Sequence, residues 1–306
     1  MKIIVLGSAA GGGYPQWNCN CSNCDGLRRG TIRSTARTQS SIAISGNGSD
    51  WLLVNASPDI LAQIRATPAL QPARAVRDSG IRAVLLTDAQ IDHVTGLLML
   101  REAESPVPLY CSAPVWDELH TGFPVVTVLS HYAGLAWRPL ELGEWEMWFA
   151  IPGLEGVDFS VLALDSKAPP YSARRASAAP GDNIGLLARD LASGRQLLYA
   201  PGLGRIDARV AAAMRRADCL LVDGTFWTEH EMTGPGLPAR SAASMGHLPL
   251  DGPGGMIEIL DAMPAGRKIV IHINNTNPIL DETSAQRGML ERRAIEVAYD
   301  GMEIIL

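Results

Sequence analysis

Short β-rich runs bounded by Gly, Pro, Asn or Asp recur along almost the whole chain, and no other feature of the sequence limits its fold as tightly. They are Lys2–Leu6, Ser40–Ser45, Trp51–Asn55, Ala83–Thr87, Pro108–Cys111, Asp158–Leu164, Ile184–Ala188, Gln196–Ala200, Cys219–Val222 and Lys268–Ile273. That many short strands predict a two-sheet structure. Apolar residues recur at three- and four-residue intervals in Val94–Glu104, Asp207–Arg216 and Gly255–Ala262, which predicts helices there, packed outside a sheet sandwich. Ser166–Asp182, rich in Pro, Ala, Ser and Arg, reads as an exposed loop, because strand patterns resume at once on both sides. The expectation is therefore a single domain over 1–306.

A chain of 306 residues with 47% hydrophobic and 19% charged side chains has enough apolar material for a buried core, which excludes a disordered or solvating segment. With 26 Lys+Arg against 32 Asp+Glu and a net charge of -6, a broad phosphate-binding face is not expected, so nucleic acid is not an expected partner. No window approaches the ~18 consecutive apolar residues of a membrane span. Met1–Gly13 lacks the apolar stretch of a secretory signal, and the expected location is the cytoplasm.

The five cysteines are Cys19, Cys21, Cys24, Cys111 and Cys219. An odd count with three crowded together fits metal binding in a reducing compartment better than a disulfide framework. Cys19-Asn-Cys21-Ser-Asn-Cys24 sets three thiolates on one tight polar loop, where they can occupy three corners of a zinc tetrahedron. The expectation is a structural zinc whose fourth ligand comes from elsewhere in the chain. Just before it, Gly7-Ser-Ala-Ala-Gly11-Gly12-Gly13 follows a strand, but its spacing is not G-x-G-x-x-G and no helix pattern follows. Glycines there are expected to let the backbone pass close to another element or to a site.

Three strands end in residues able to hold a metal. Ala83–Thr87 leads to Asp88-Ala-Gln90-Ile-Asp92-His93, Cys219–Val222 leads to Asp223, and Lys268–Ile271 leads to His272. Asp92 stands where the N-cap of a Val94–Glu104 helix belongs, which would hold its carboxylate and the neighbouring imidazole on a stiff turn.

Thr87-Asp-Ala-Gln-Ile-Asp92-His93-Val-Thr-Gly96-Leu resembles the metal motif H-x-H-x-D-H of the metallo-β-lactamase superfamily, and Gly7–Pro15, Leu198–Gly204 and Ile271–Pro278 fall where that superfamily keeps its other loops. Within it the chain resembles the family of pyrroloquinoline quinone (PQQ) biosynthesis proteins in its Gly-rich opening, its cysteine cluster, Thr87–Leu97, Leu221–Trp227 and His272-Ile-Asn-Asn-Thr-Asn-Pro278. The resemblance implies an α+β fold, an αββα four-layer sandwich of two mixed β-sheets with helices on the outer faces.

It also implies a modified metal centre. The leading histidines of the motif correspond to Asp88 and Gln90, a later one to Ser166, and the bridging acid falls near Pro201, so the first metal site of binuclear members is dismantled. Asp92, His93 and His272 of the second survive. Two imidazoles and one carboxylate with open positions form the facial triad that suits Fe(II) and oxygen activation. Asp88 either completes that site or hydrogen-bonds to it. Asp223 is a candidate for orienting a ligand imidazole or moving protons, against a plain turn residue. His247 is a candidate general acid or base, against a loop histidine. His120, His131 and His230 are read as surface or structural. Related phosphodiesterases with the same cysteine spacing draw their fourth zinc ligand from the position of Asn275, so that place is filled by Asn275, a histidine folded in from elsewhere, or water.

The implied function is oxygen-dependent hydroxylation of a tyrosine-derived PQQ precursor, with Fe2+ in the active site, structural Zn2+ on the cysteines, and dioxygen and a small precursor as partners. A metal-dependent hydrolase and a carrier, transport-related, for PQQ or its precursor are the alternatives, and a homodimer is compatible with the sequence.

Overall fold

The computed structural model describes residues 1–143, 146–233 and 239–306. Thirteen strands form among them: β1 (Lys2–Gly7), β2 (Ser41–Ser45), β3 (Trp51–Val54), β4 (Ile81–Leu85), β5 (Val107–Cys111), β6 (Leu135–Pro139), β7 (Val157–Ala163), β8 (Ile184–Asp190), β9 (Gln196–Ala200), β10 (Cys219–Asp223), β11 (Arg267–Ile271), β12 (Ile295–Val297) and β13 (Glu303–Ile305). One sheet runs β13-β1-β2-β3-β4-β5-β6 and the other β12-β11-β10-β9-β8-β7. Each is antiparallel at one end and parallel at the other, through β3, β4, β5 and β6 in the first and β9, β10, β11 and β12 in the second.

The layers follow from alternation along each strand. Ile3 and Val5 of β1 point between the sheets, where they join Ile42, Leu52, Phe159, Leu186, Tyr199 and Ile269 in one core. Ile4 and Leu6 point the other way and pack with Ile60, Val94, Val115 and Leu119 of the first outer helical layer. On the far side Leu220 and Val222 pack against Val210, Met214, Ile257 and Leu260 of the second. This is the four-layer αββα sandwich. Because both faces of each sheet are covered, the central strands read as unbroken apolar runs instead of alternating ones. Among the described residues no helix is long and apolar enough to cross a membrane.

Several elements depart from expectation. The run expected at Ala83–Thr87 pairs as Ile81–Leu85, which leaves Thr87 and Asp88 beyond the strand. The Val94–Glu104 helix does not form. A single turn, Ile91–Val94, is followed by 3-10 helix over Thr95–Leu100. Gly96 explains the break: its N–H donates to Ala56 O at 2.8 Å, and a β-carbon there would lie 2.2 Å from the Ser57 carbonyl, so the chain is drawn against the β3 end instead of continuing a regular helix. Asp92 is consequently not an N-cap; Gln90 holds that position and Asp92 lies inside the turn. The Asp207 helix does form, Ala208–Arg216, with Asp207 accepting from the N–H groups of Arg209 and Val210, and the third expected helix is Met256–Asp261. A helix, Ser22–Arg29, also forms where none was expected, with Cys21 at its N-cap and Cys24 in its first turn.

Candidate metal centre

The C-terminal ends of the parallel strands in both sheets meet at one edge of the sandwich. On the first sheet Asn55 follows β3 in a left-handed conformation, φ 63°, and its side-chain oxygen accepts from Thr87 N–H at 2.9 Å while its amide donates to the Thr87 hydroxyl at 3.0 Å. This brace fixes the turn carrying Asp88. On the second sheet β10 ends in Asp223, and β11 is followed by His272, itself left-handed at φ 60°. That backbone is uncommon outside glycine and costs free energy; it turns the imidazole off the strand line toward the first sheet. The glycine run serves the same edge. Ala10 N–H donates to Ile273 O, Ile273 N–H donates to Ser8 O, and a β-carbon on Gly11 would sit 3.3 Å from the Asp92 carboxylate, a tight contact that glycine avoids.

Asp92, His93 and His272 converge so that one ligand atom of each lies within 4.8 Å of the others. Their tautomers follow from their partners. Nδ1 of His93 is 2.8 Å from both oxygens of Asp88; a carboxylate only accepts, so Nδ1 carries the proton and Nε2 presents a lone pair. That Nε2 is buried without a hydrogen-bond partner, 3.7 Å from Asp92 Oδ2. For His272 the decisive group is Thr225. Its hydroxyl donates to Asp223 Oδ1 at 2.6 Å and therefore accepts from His272 Nδ1 at 2.9 Å. His272 Nε2, 3.2 Å from Asp92 Oδ2, then also presents a lone pair. Two imidazole nitrogens and a carboxylate oxygen, with no donor among them, fit a cation.

Those lone pairs belong to the neutral imidazoles; where no cation is bound, protons supply the positive charge instead. Burial opposes ionisation of Asp92, yet the charge of His93 and the hydrogen bond and charge of His272 hold its carboxyl well below the usual carboxylate range. Burial would lower His93, but Asp88 and Asp92 bring it up to about 9, so an acidic field surrounds the spot where the three ligand atoms meet.

Asp88 is engaged on both oxygens, by Gln90 N–H and His93 on one and by the Thr87 hydroxyl and His93 on the other, and it stands behind His93 instead of among the converging atoms. Asp223 is a saturated acceptor. Oδ1 takes Thr225 N–H and hydroxyl, and Oδ2 takes Leu203 N–H at 2.8 Å and His247 Nδ1 at 2.6 Å. It orients His247 directly and His272 through Thr225. Thr225 went unnoticed in the sequence, since nothing local marks a threonine two residues past a strand as the tether of an imidazole 47 positions away. Burial opposes the charged form of His247, but Asp223 raises its pKa. The ring stacks on His272 with centroids 5.4 Å apart.

These groups open into a cleft of about 170 Å³ whose wall includes Gln90, Ser166, Met245, His247, Arg175 and Arg240. Gln90, at the place of a lost metal histidine, donates instead to Lys167 O at 3.1 Å. Ser166, at the place of another, donates to Gly246 O at 2.7 Å. The Ser166–Asp182 loop is thus no free surface excursion: Ala168, Ser172 and Asp182 are buried, and the loop forms one wall of the cleft.

A second cluster lies one short segment away. The sulfurs of Cys19, Cys21 and Cys24 are within 4.8 Å of one another, and the Asn275 side-chain amide sits 3.1, 3.6 and 3.5 Å from them. Asn275 therefore covers the fourth corner, and among the described residues no histidine joins the three sulfurs. The amide's two ends are interchangeable by a flip, which would turn its oxygen toward the sulfurs. Burial, with the neighbouring Cys24, pushes the Cys21 thiol up to about 12, the behaviour of a thiol group that needs a cation before it can ionise.

Residues 50–273 match the family model described as Beta-lactamase superfamily domain. The chain is 61% identical over 305 residues to the Coenzyme PQQ synthesis protein B of Cupriavidus necator, covering 100% of this chain and 99% of that one, and 57% identical to that of Azotobacter vinelandii, with 100% of both chains covered. Among solved structures it is similar to Zn(2+)-bound PqqB from Methylobacterium extorquens, at 36% identity and a TM-score of 0.90 over the whole of both chains. A diphosphatase of the PhnP family, 17% identical with a TM-score of 0.69 over 100% of this chain and 97% of that one, shares the fold. Fold, ligand cluster and full-length identity together make this chain a member of the Coenzyme PQQ synthesis protein B family within the β-lactamase superfamily.

Proposed function

We propose that this chain acts in PQQ biosynthesis, as the names of its relatives say of them, and that it does so as a single cytoplasmic domain hydroxylating a tyrosine-derived precursor with one Fe(II) and dioxygen. The observation that supports this reading most is the convergence of the Asp92, His93 and His272 lone pairs on one point at the wall of an open cleft, while Asp88, Gln90 and Ser166 are all committed to other partners. A binuclear hydrolytic mechanism clamps two oxygens between two cations and needs both sites. Asp92, His93 and His272 would hold the iron, which when bound supplies dioxygen activation beside the substrate.

The chain's own groups do the rest. Asp88 and Thr225 keep Nδ1 of the two imidazoles protonated, so that each Nε2 remains a ligand throughout turnover. His247, anchored through Nδ1 to Asp223, keeps Nε2 free to hold or deliver a proton on the cleft side, and Asp223 favours the protonated form. Cys19, Cys21 and Cys24, with Asn275, would hold structural zinc and brace the segment that aims His272.

The test is anaerobic reconstitution of the apo-protein with Fe(II), addition of a tyrosine-containing short peptide, admission of oxygen and mass measurement of the product. Gain in units of one oxygen is expected. Cleavage fragments would instead make the chain a hydrolase, and tight binding of peptide or PQQ without turnover under any metal would make it a carrier.

A further inference from the structure

Two arginines face the cleft, and neither has a carboxylate partner among the described residues. The contrast with the adjacent residue is informative. Arg174 is held by Asp117, Glu118 and Asp182 at 3.0, 2.9 and 3.2 Å, as an arginine that fixes a loop should be. Arg175 meets only backbone carbonyls, those of Ala168 and Ser244. Burial and the charge of Arg240 both lower its affinity for its own proton, so the two guanidiniums repel across the cleft. The loop carrying Arg175 is pinned by Arg174, by Ser172 on Glu118 and by Tyr171 on the Ala89 carbonyl, so its guanidinium is set in place before any ligand arrives.

The charge balance of the cleft says what fits there. Asp88 and Asp92 offset Arg175 and Arg240, and Asp223 is offset by its partner His247. A divalent cation on Asp92, His93 and His272 therefore leaves a surplus of about two positive charges beside the cleft wall. Guanidinium planes bind carboxylates through two parallel N–H···O bonds, which fixes orientation as well as charge.

We propose that Arg175 and Arg240 are the substrate-gripping residues of the cleft, each taking one carboxylate of a dicarboxylic amino acid or short peptide whose ring is thereby turned toward Asp92, His93 and His272. This rests on the reading of the cleft as a substrate site, and it narrows the substrate class to dicarboxylates.

The experiment measures equilibrium binding of the dipeptide Asp-Tyr, and of its carboxylate-free counterpart Asn-Tyr-amide, to the zinc-loaded full chain by calorimetry. Asp-Tyr should bind at least about tenfold more tightly, and Arg175→Gln or Arg240→Gln should each remove most of that preference, with partial recovery in Arg175→Lys and Arg240→Lys. In the iron-loaded protein each Gln variant should raise KM far more than it lowers kcat. Equal binding of the two dipeptides, or a preference that survives both Gln variants, overturns the proposal. The two readings separate cleanly: oxygen insertion with an unchanged KM in both variants removes the arginine grip and leaves the hydroxylase. An arginine-dependent preference for Asp-Tyr without oxygen insertion into any peptide removes the hydroxylase and leaves the grip.

Discussion

The two ligand clusters of this protein differ in how they were assembled and in what surrounds them. Cys19, Cys21 and Cys24 lie within six consecutive positions, and their soft sulfurs face a corner already covered by Asn275. Asp92 and His272 are 180 residues apart, come from different sheets, and sit on the wall of a cleft of about 170 Å³. A closed soft site stabilises structure, whereas an open site of imidazole and carboxylate leaves coordination positions for reactants. The chain joins them through four residues, His272 to Asn275, so the closed cluster can act as a brace for the open one.

The largest effect expected is on the open site alone. His93→Ala or His272→Ala should remove one equivalent of metal by elemental analysis and abolish oxygen insertion, a loss beyond the roughly 10–100-fold typical when only an outer partner of a ligand is removed. The cysteine-bound metal should remain. Retention of full activity in either variant would remove that residue from the site.

Cys21→Ala tests the brace. It should lower the melting temperature by roughly 5–10 °C through loss of a structural metal, and weaken metal binding in the cleft as well. Unchanged affinity in the cleft would make the two clusters independent and break the comparison at its join.

Asp88→Asn sharpens the open site from behind. An amide can present either a donor or an acceptor to His93 Nδ1, so the tautomer is no longer imposed, and metal affinity measured by competition with a chelator should fall roughly 10–100-fold with the fold intact.

The smallest effect concerns Glu231, which accepts from Trp227 N–H and the Thr276 hydroxyl beside Asn275. Burial is the main cause that raises its carboxyl to about 7 from an ordinary value of 4.5. A carboxyl raised in the folded state stabilises the fold fully below its unfolded value, and that contribution is lost as pH climbs from about 4.5 through about 7. Glu231→Gln should flatten the stability profile over this window and gain up to ~2 kcal/mol at pH 8 in denaturant titration. A profile that keeps its slope would show that Glu231 does not set it.

Much of this was legible because local chemistry wrote it. The apolar runs gave most strands, Asp207 announced its helix, and the cysteine spacing announced a ligand cluster. What was missed was short or governed by distant partners. β6 is a half-exposed edge strand ending in proline, β12 and β13 have three residues each, and none carries enough pattern to stand out. The helix expected after His93 failed because Gly96 answers to Ala56 and Ser57, and the register of β4 was set by pairing with β3 and β5.

The sequence by itself determined which groups are available: a carboxylate, imidazoles and thiols at strand ends and on one loop, with the family motif marking Asp92, His93 and His272. Only the tertiary structure decided their roles. Asp88 became the partner of His93, Asp223 and Thr225 became the support of His247 and His272, and Arg175 and Arg240 came to face the same cleft. The physical reason is that a side chain's role depends on which proton or charge faces it within a few ångströms, and those neighbours are brought together by sheet packing across large separations in the chain.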